Sequence, residues 1–253
     1  MLQLTFIDTE SHWDEHLHED YRALNPKHRD HRMASKRIFA AAALDIAIGD
    51  DGAVSVEGLS SWTERSHGDE AAIVGALFDH MRFRPDHKAV TYGGLAADLP
   101  LLVLASMEYA LTLPGQLRSG HRVRAGEMRP HTDLALEFKG KGRDWAHLSE
   151  VGLRLGFPRE LFMGKSQVAL PSTPEQWQAV RYHVGFDCVL TAMVALAWMG
   201  AQGRFRVDTP AMIYQLSDWF LRNGGRDSPI SEPLAELRRR MAERIAWRMA
   251  EAA

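Results

Sequence analysis

Four acids stand where an acid is awkward for folding. Asp8 and Glu10 lie two residues apart at the end of the apolar, β-prone run Leu2 to Ile7, so both point to one side of a strand. Two like charges that close repel each other, and a cation between them relieves the repulsion. Asp98 follows the short run KAVTY (Lys88 to Tyr92) and the turn GGLAA, and it opens an apolar helix. There an N-cap role competes with ligation. Asp187 sits inside VGFDCVLTAMVALAW, among residues that seek burial. A lone buried aspartate is costly unless it is paired or holds a metal. The chain has one cysteine, Cys188, so these oxygen ligands suit hard cations, Mg²⁺ or Mn²⁺, rather than structural zinc. His12, His16, His18, His28 and His31 also show ligand-like spacings, but HWDEH lacks the His-Glu-x-x-His order and no cysteine supports it.

These residues need a scaffold, and the composition supplies one. The chain has 253 residues, 45% of them hydrophobic and 25% charged, which excludes a disordered or fibrous protein. Its net charge of −3, from 30 Lys+Arg against 33 Asp+Glu, argues against bulk electrostatic adhesion to nucleic acid but allows a local basic groove. The longest apolar run, Cys188 to Ala201, is about half a bilayer crossing, so no membrane association is expected. The start MLQLTFIDTE lacks the basic region of a signal peptide. A cytoplasmic protein is the expectation.

Along the chain, the strand Leu2 to Ile7 gives way to a polar, His-rich stretch that reads as an exposed loop or loose helical insertion. Lys36 to Ile48 and Ala53 to Trp62 flank Gly49-Asp50-Asp51-Gly52, the pattern of a β-hairpin. The alanine run in the first arm leaves helix open as an alternative. Asp69 to Met81 has helical spacing, KAVTY is a short strand, and Leu99 to Leu111 is a helix. Leu113 to Arg129 is a connection. Ala146 to Leu155 is another helix, and Thr173-Pro174-Glu175 starts a long one, with Gly185 as a candidate break. Thr209 to Arg222 and Ser231 to about Ala250 are the last two helices. The order implies an α/β protein with a mixed sheet built early and covered by later helices.

In that order the motifs resemble the DEDD-type 3'-5' exonucleases of the ribonuclease H-like superfamily. The closest likeness is to the predicted exonucleases related to the proofreading domain of family B DNA polymerases. FIDTES (Phe6 to Ser11) is similar to the first motif, with its Asp-x-Glu. AVTYGGLAADLPLLVLASMEYAL (Ala89 to Leu111) is similar to the second, whose aspartate falls on Asp98. RPHTDLALEF (Arg129 to Phe138) matches an Asp-Leu segment at Asp133-Leu134, and HLSEVGLRLGFP (His147 to Pro158) the helix after it. VRYHVGFDCVLT (Val180 to Thr191) is similar to the third motif, with its aspartate at Asp187.

The resemblance implies a ribonuclease H-like fold over residues 1–202, with 203–253 as a helical extension packed on the same domain. It also implies metal-dependent 3'-5' hydrolysis at single-stranded DNA or RNA ends, through two ions held by Asp8, Glu10, Asp98 and Asp187. Thr9, Tyr92, Gly93, Gly94 and Asp133 become the expected substrate contacts. The chain departs from the family twice. Gly93-Gly94 and Ala97-Asp98 stand where Asn-Gly and Phe-Asp are usual, which removes contacts to a terminal nucleotide. The third motif usually has a tyrosine four residues before its aspartate, or a histidine five before; here His183 is four before and Tyr182 five. Four residues return to within about 40° of the same helix face, and five land about 140° away. His183 is therefore preferred at the attacking water, with Tyr182 as the alternative if Gly185 breaks the helix. Arg118, Arg122, Arg124, Lys139, Lys141, Arg143 and Lys165 are candidate backbone contacts. The last helix carries a stripe of Leu234, Leu237, Met241, Ile245 and Met249, which suits docking on the core or on a second subunit in a homodimer. Two other readings fit the same residues: a catalytically idle nucleic-acid or protein-binding module, and a phosphoesterase acting on small nucleotides.

Overall fold

The computed structural model describes residues 1–27, 30, 33–118, 128–139, 145–163, 170–225 and 228–251. His28, His31, Arg122, Arg124, Lys141, Arg143 and Lys165 lie outside the described residues. The first strand is longer than its apolar run suggests. β1 (Leu2–Trp13) continues through both acids because it pairs antiparallel along its length with β2 (Lys36–Ile48), Asp8 opposite Ala42 and Glu10 opposite Ala40. Asp8 and Glu10 are therefore inside the strand, not at its exit. The polar stretch beyond forms α1 (Glu15–Leu24), opened by Asp14, whose carboxylate accepts from Leu17 N at 3.1 Å.

β2 turns back through Gly49–Gly52 into β3 (Val54–Thr63). The alanines of β2 take the strand conformation against their helical propensity. Ala40 and Ala42 pack on one face of the sheet, Ala41 and Ala43 on the other, and all four are fully buried. Small side chains let helices approach both faces closely, so tertiary packing overrides local preference.

Next come α2 (Glu64–His67) and α3 (Glu70–Arg82), the latter capped by Asp69, which accepts from Ala72 N at 2.8 Å. β4 (Lys88–Thr91) and α4 (Asp98–Glu108) follow, then β5 (His131–Asp133), α5 (Leu134–Glu137) and α6 (Leu148–Arg154). β5 is three residues without an apolar run, and its parallel pairing with β4 is what makes it a strand. The chain then forms α7 (Pro174–Ala201), α8 (Thr209–Phe220) and α9 (Ser231–Glu251).

The sheet order is β3-β2-β1-β4-β5, with β1, β2 and β3 antiparallel and β4 and β5 parallel to β1. This mixed sheet flanked by helices is a ribonuclease H-like α/β fold. α7 covers the face carrying Leu4, Phe6, Leu44 and Ile46, while α3 and α4 cover the face carrying Ile7, Ile38 and Ala43. Ile213 and Leu216 of α8, and Leu234 and Leu237 of α9, join the α7 side of the same core. The apolar stripe of α9 is only partly docked: Met241 is buried, whereas Met249 is 70% exposed.

α7 is unbroken at Gly185. A Cβ there would sit 3.1 Å from Leu59 Cδ2, so the missing side chain lets the helix lie against β3. That contact outweighs the roughly 1 kcal/mol that a mid-helix glycine costs. α7 is long enough to cross a bilayer and its most apolar window has mean hydropathy 1.7, but 72% of that window is buried within the fold, as in a core helix.

Candidate active site

The site forms where β1 outruns its parallel neighbour. β4 pairs with β1 from Leu4 to Phe6, so among the described residues no strand lies beside this β1 edge beyond Phe6. Asp98, the first residue of α4, fills part of that gap. Its Oδ1 accepts from Thr9 N at 3.1 Å and from the Thr9 hydroxyl. The bond satisfies an edge amide that a strand would otherwise take. The expected N-cap role does not appear: Ala97 holds that position, and the carboxylate turns to β1. Burial pushes the Asp98 carboxyl up to about 6; the two Thr9 bonds pull it down, and the charge of Glu10 pushes the same way as burial.

Asp8 and Glu10 share the opposite face of β1, on the side of Leu4 and Phe6 and hence of α7. There α7 presents His183 and Asp187, four residues and one turn apart. His183 Nε2 lies 3.2 Å from Glu10 Oε1 and 3.8 Å from Asp187 Oδ2. One ligand atom from each of Glu10, His183 and Asp187 lies within 4.8 Å of the others, a three-donor group able to hold a cation. Beneath it, the Cys188 thiol is fully buried and pushed up, first by burial and then by the charges of Asp8, Asp187 and Asp98. That single sulfur feels three of the four expected acids.

Tyr182 points elsewhere. One residue before His183, it is rotated about 100° around the helix and lines a separate cavity with Arg181 and β3. Of the two expected candidates for the attacking water, the helix brings His183 to the acids.

The remaining expected contacts lie at the β4 end. Thr9 faces α4 and holds Asp98, as described. Asp133 spends both carboxylate oxygens on backbone: Oδ1 accepts from Gly93 N at 2.7 Å and Ala135 N at 3.0 Å, and Oδ2 from Leu95 N at 2.8 Å. Gly93 has φ +76°, and a Cβ on Gly94 would lie 2.6 Å from the Thr91 side chain. Both glycines are thus required by the turn itself. Tyr92 donates to Ala146 O at 2.6 Å, and burial pushes its hydroxyl up to about 12.

Sequence reasoning missed two residues beside Asp98. Trp13 and Lys36 line a cavity of about 300 Å³ together with Thr9, Ser11, Ala97 and Asp98. The Lys36 ammonium stands 4.5 Å from the Trp13 ring centroid. Alternation along β1 was the available signal, since Thr9, Ser11 and Trp13 recur at period two. Of the proposed cations, Arg118 donates to Leu113 O at 2.9 Å and Lys139 lies over Trp145. His12 Nδ1 donates to Trp13 O at 3.0 Å and its ring packs edge-on against Phe39, and His18 is buried. Among the described residues, no histidine of that segment joins a three-donor group.

A ribonuclease H-like sheet with acids beside the free edge of its central strand defines a structural class. Within it, residues 30–232 match the model of predicted 3'-5' exonucleases related to the exonuclease domain of PolB, and the chain belongs to that family. The matched span begins after β1, so Asp8 and Glu10 precede it. The family B DNA polymerase of the hyperthermophilic archaeon Pyrobaculum calidifontis aligns over 93% of this chain at 14% identity, TM-score 0.45. E. coli exonuclease I in complex with a dT13 oligonucleotide aligns over 81% at 9% identity, TM-score 0.37. The chain spans 27% and 42% of those two chains. No curated protein matches it.

Proposed function

We propose that the protein is a divalent-metal-dependent 3'-5' exonuclease acting on single-stranded nucleic acid. The observation that carries this reading is the Glu10–His183–Asp187 group, with its donor atoms within 4.8 Å of one another and Asp8 on the same strand face. The two carboxylates of that group suit Mg²⁺ or Mn²⁺, and the imidazole stands beside them as a base. When bound, such ions polarise a phosphodiester and lower the pKa of water.

The chain's own residues do the rest. Glu10 and Asp187 would hold one ion, and Asp98 a second, with Asp8 able to contribute to both. His183 orients the attacking water and accepts its proton at Nε2, a role that suits an imidazole near neutral pH. The cavity of Trp13, Lys36 and Ser11 takes the terminal nucleotide, its base against the indole and its phosphate near the ammonium. This replaces the contacts that Gly93-Gly94 and Ala97 no longer supply.

One observation favours an idle binding module instead: Asp98 spends its Oδ1 on Thr9 and stays outside the three-donor group. The test is digestion of 3'-labelled and 5'-labelled single strands in Mn²⁺ by the wild type and by Asp8→Ala. Stepwise loss of the 3' label by the wild type alone is expected. Equal behaviour of the two proteins would leave the idle module standing.

A further inference from the structure

The cavity that receives Tyr182 holds about 510 Å³, within the range of small-molecule sites. It lies between α7, β3 and the end of α8. Gln178, Arg181 and Tyr182 enter it from α7, spaced i, i+3, i+4 and therefore on one stripe. Trp219 and Asn223 enter from the other side. Their positions are held: Arg181 Nε donates to Ser61 Oγ at 3.3 Å, and Asn223 Nδ2 donates to Trp219 O at 2.8 Å.

We infer that this cavity binds one nucleotide of a single strand, upstream of the scissile bond; the inference rests on the exonuclease reading above. Three aromatic rings (Tyr182, Trp219 and the buried Phe220), one guanidinium and two carboxamides form a set of contacts for a base and its phosphate. Rings stack any base, arginine neutralises a phosphate, and amides reach base edges. Glu57 is the acid among the lining residues, and its carboxylate lies 3.7 Å from His87 Nε2. Location supports the same ligand. Tyr182 and His183 are consecutive, so the cavity and the acids flank one helix about 10 Å across. A strand whose end lies at His183 can therefore cross the helix and place an inner nucleotide at Arg181.

The test is calorimetric titration of unlabelled dT2 and dT8, without divalent metal, into the wild type, Trp219→Leu, Trp219→Phe and Arg181→Gln. Trp219→Leu is expected to weaken dT8 about tenfold, and Trp219→Phe to restore it. Arg181→Gln, an exposed change, is expected to reduce the slope of log K against log salt for dT8 by about 0.7, one phosphate on a single strand. The short dT2, which cannot reach both sites, is expected to bind all four proteins alike. Equal losses for dT2 and dT8, or no loss for either, would overturn the inference. Digestion of dT8 in Mn²⁺ is read separately. Binding without digestion would sink the exonuclease reading and leave this site standing; digestion without the length-dependent loss would do the reverse.

Discussion

Two groups of carboxylates lie at the sheet, and they solve the same electrostatic problem in opposite ways. Asp45 of β2 is 2% exposed and surrounded by donors. Thr5 Oγ1 donates to it at 2.7 Å, His80 Nε2 lies at 3.0 Å and Arg84 Nε at 2.9 Å. Burial alone would raise its pKa. The His80 and Thr5 bonds, with the charges of His80 and Arg84, more than offset that, and the carboxyl ends below its ordinary value. Glu10 and Asp187 share one imidazole, His183, instead, while Asp98 is held by Thr9 and ends above its ordinary value. The first group is finished by the chain; in the proposed reading a divalent cation completes the second.

The sharpest way to break this contrast is to neutralise one acid in each group. Asp187→Asn is expected to lower strand hydrolysis on the order of 10³-fold, while metal-free thermal stability holds or rises because a repulsion is removed. Asp45→Asn is expected to do the opposite. It strands Arg84 and His80 beside an uncharged group, at a cost of about 3 kcal/mol, or roughly 6–12 °C in melting temperature, with hydrolysis retained below the melt. Digestion assays and thermal denaturation on both variants check this, and a destabilised Asp187→Asn would merge the two groups into one structural kind.

The sequence showed one group and hid the other for a physical reason. Asp8, Glu10, Asp98 and Asp187 stand out because each interrupts an apolar run. Asp45 interrupts one too, in KRIFAAAALDIAI, but its partners come from β1, α3 and the loop before β4, and no spacing announces them. Capped helices were legible, as at Asp69 and Thr173, where the cap is local. The extent of β1 and the existence of β5 were not, because pairing with distant strands sets them. Which of Tyr182 and His183 meets the acids turned on one step of an unbroken helix, and the fit of Gly185 against Leu59 decided it.

Metal addition gives a smaller effect. At 100 times its Kd, Mn²⁺ is expected to stabilise the wild type by about 2.7 kcal/mol, read as a concentration-dependent melting temperature. The gain should vanish in Glu10→Gln and persist in Asp45→Asn. A gain that survives Glu10→Gln would place the ion elsewhere.

The smallest expected effect is a pH dependence to which the Asp45 group contributes. His87 accompanies Asp45: its Nδ1 is 2.9 Å from Thr5 Oγ1 and 3.6 Å from Asp45. The single Thr5 proton goes to Asp45, so His87 Nδ1 carries a hydrogen and donates to Thr5. Burial pushes the His87 pKa below 6.5, against the pull of Asp45 and Glu57. The folded protein thus keeps this ring neutral at a pH where the unfolded chain protonates it. Stability is complete above the unfolded value of 6.5 and is lost as pH falls from there through the folded value, by up to about 1.4 kcal/mol per pH unit. Asp45, whose folded pKa is lowered, adds a second loss only at more acid pH, below its ordinary 3.8. The difference between denaturation midpoints at pH 7.5 and 5.5 should therefore change in His87→Asn by the His87 share, the remainder belonging to His131, whose pKa burial also lowers, and to Asp98, whose raised value acts with the opposite sign. A His87→Asn protein with the unchanged wild-type difference would mean that His87 contributes nothing to the acid sensitivity.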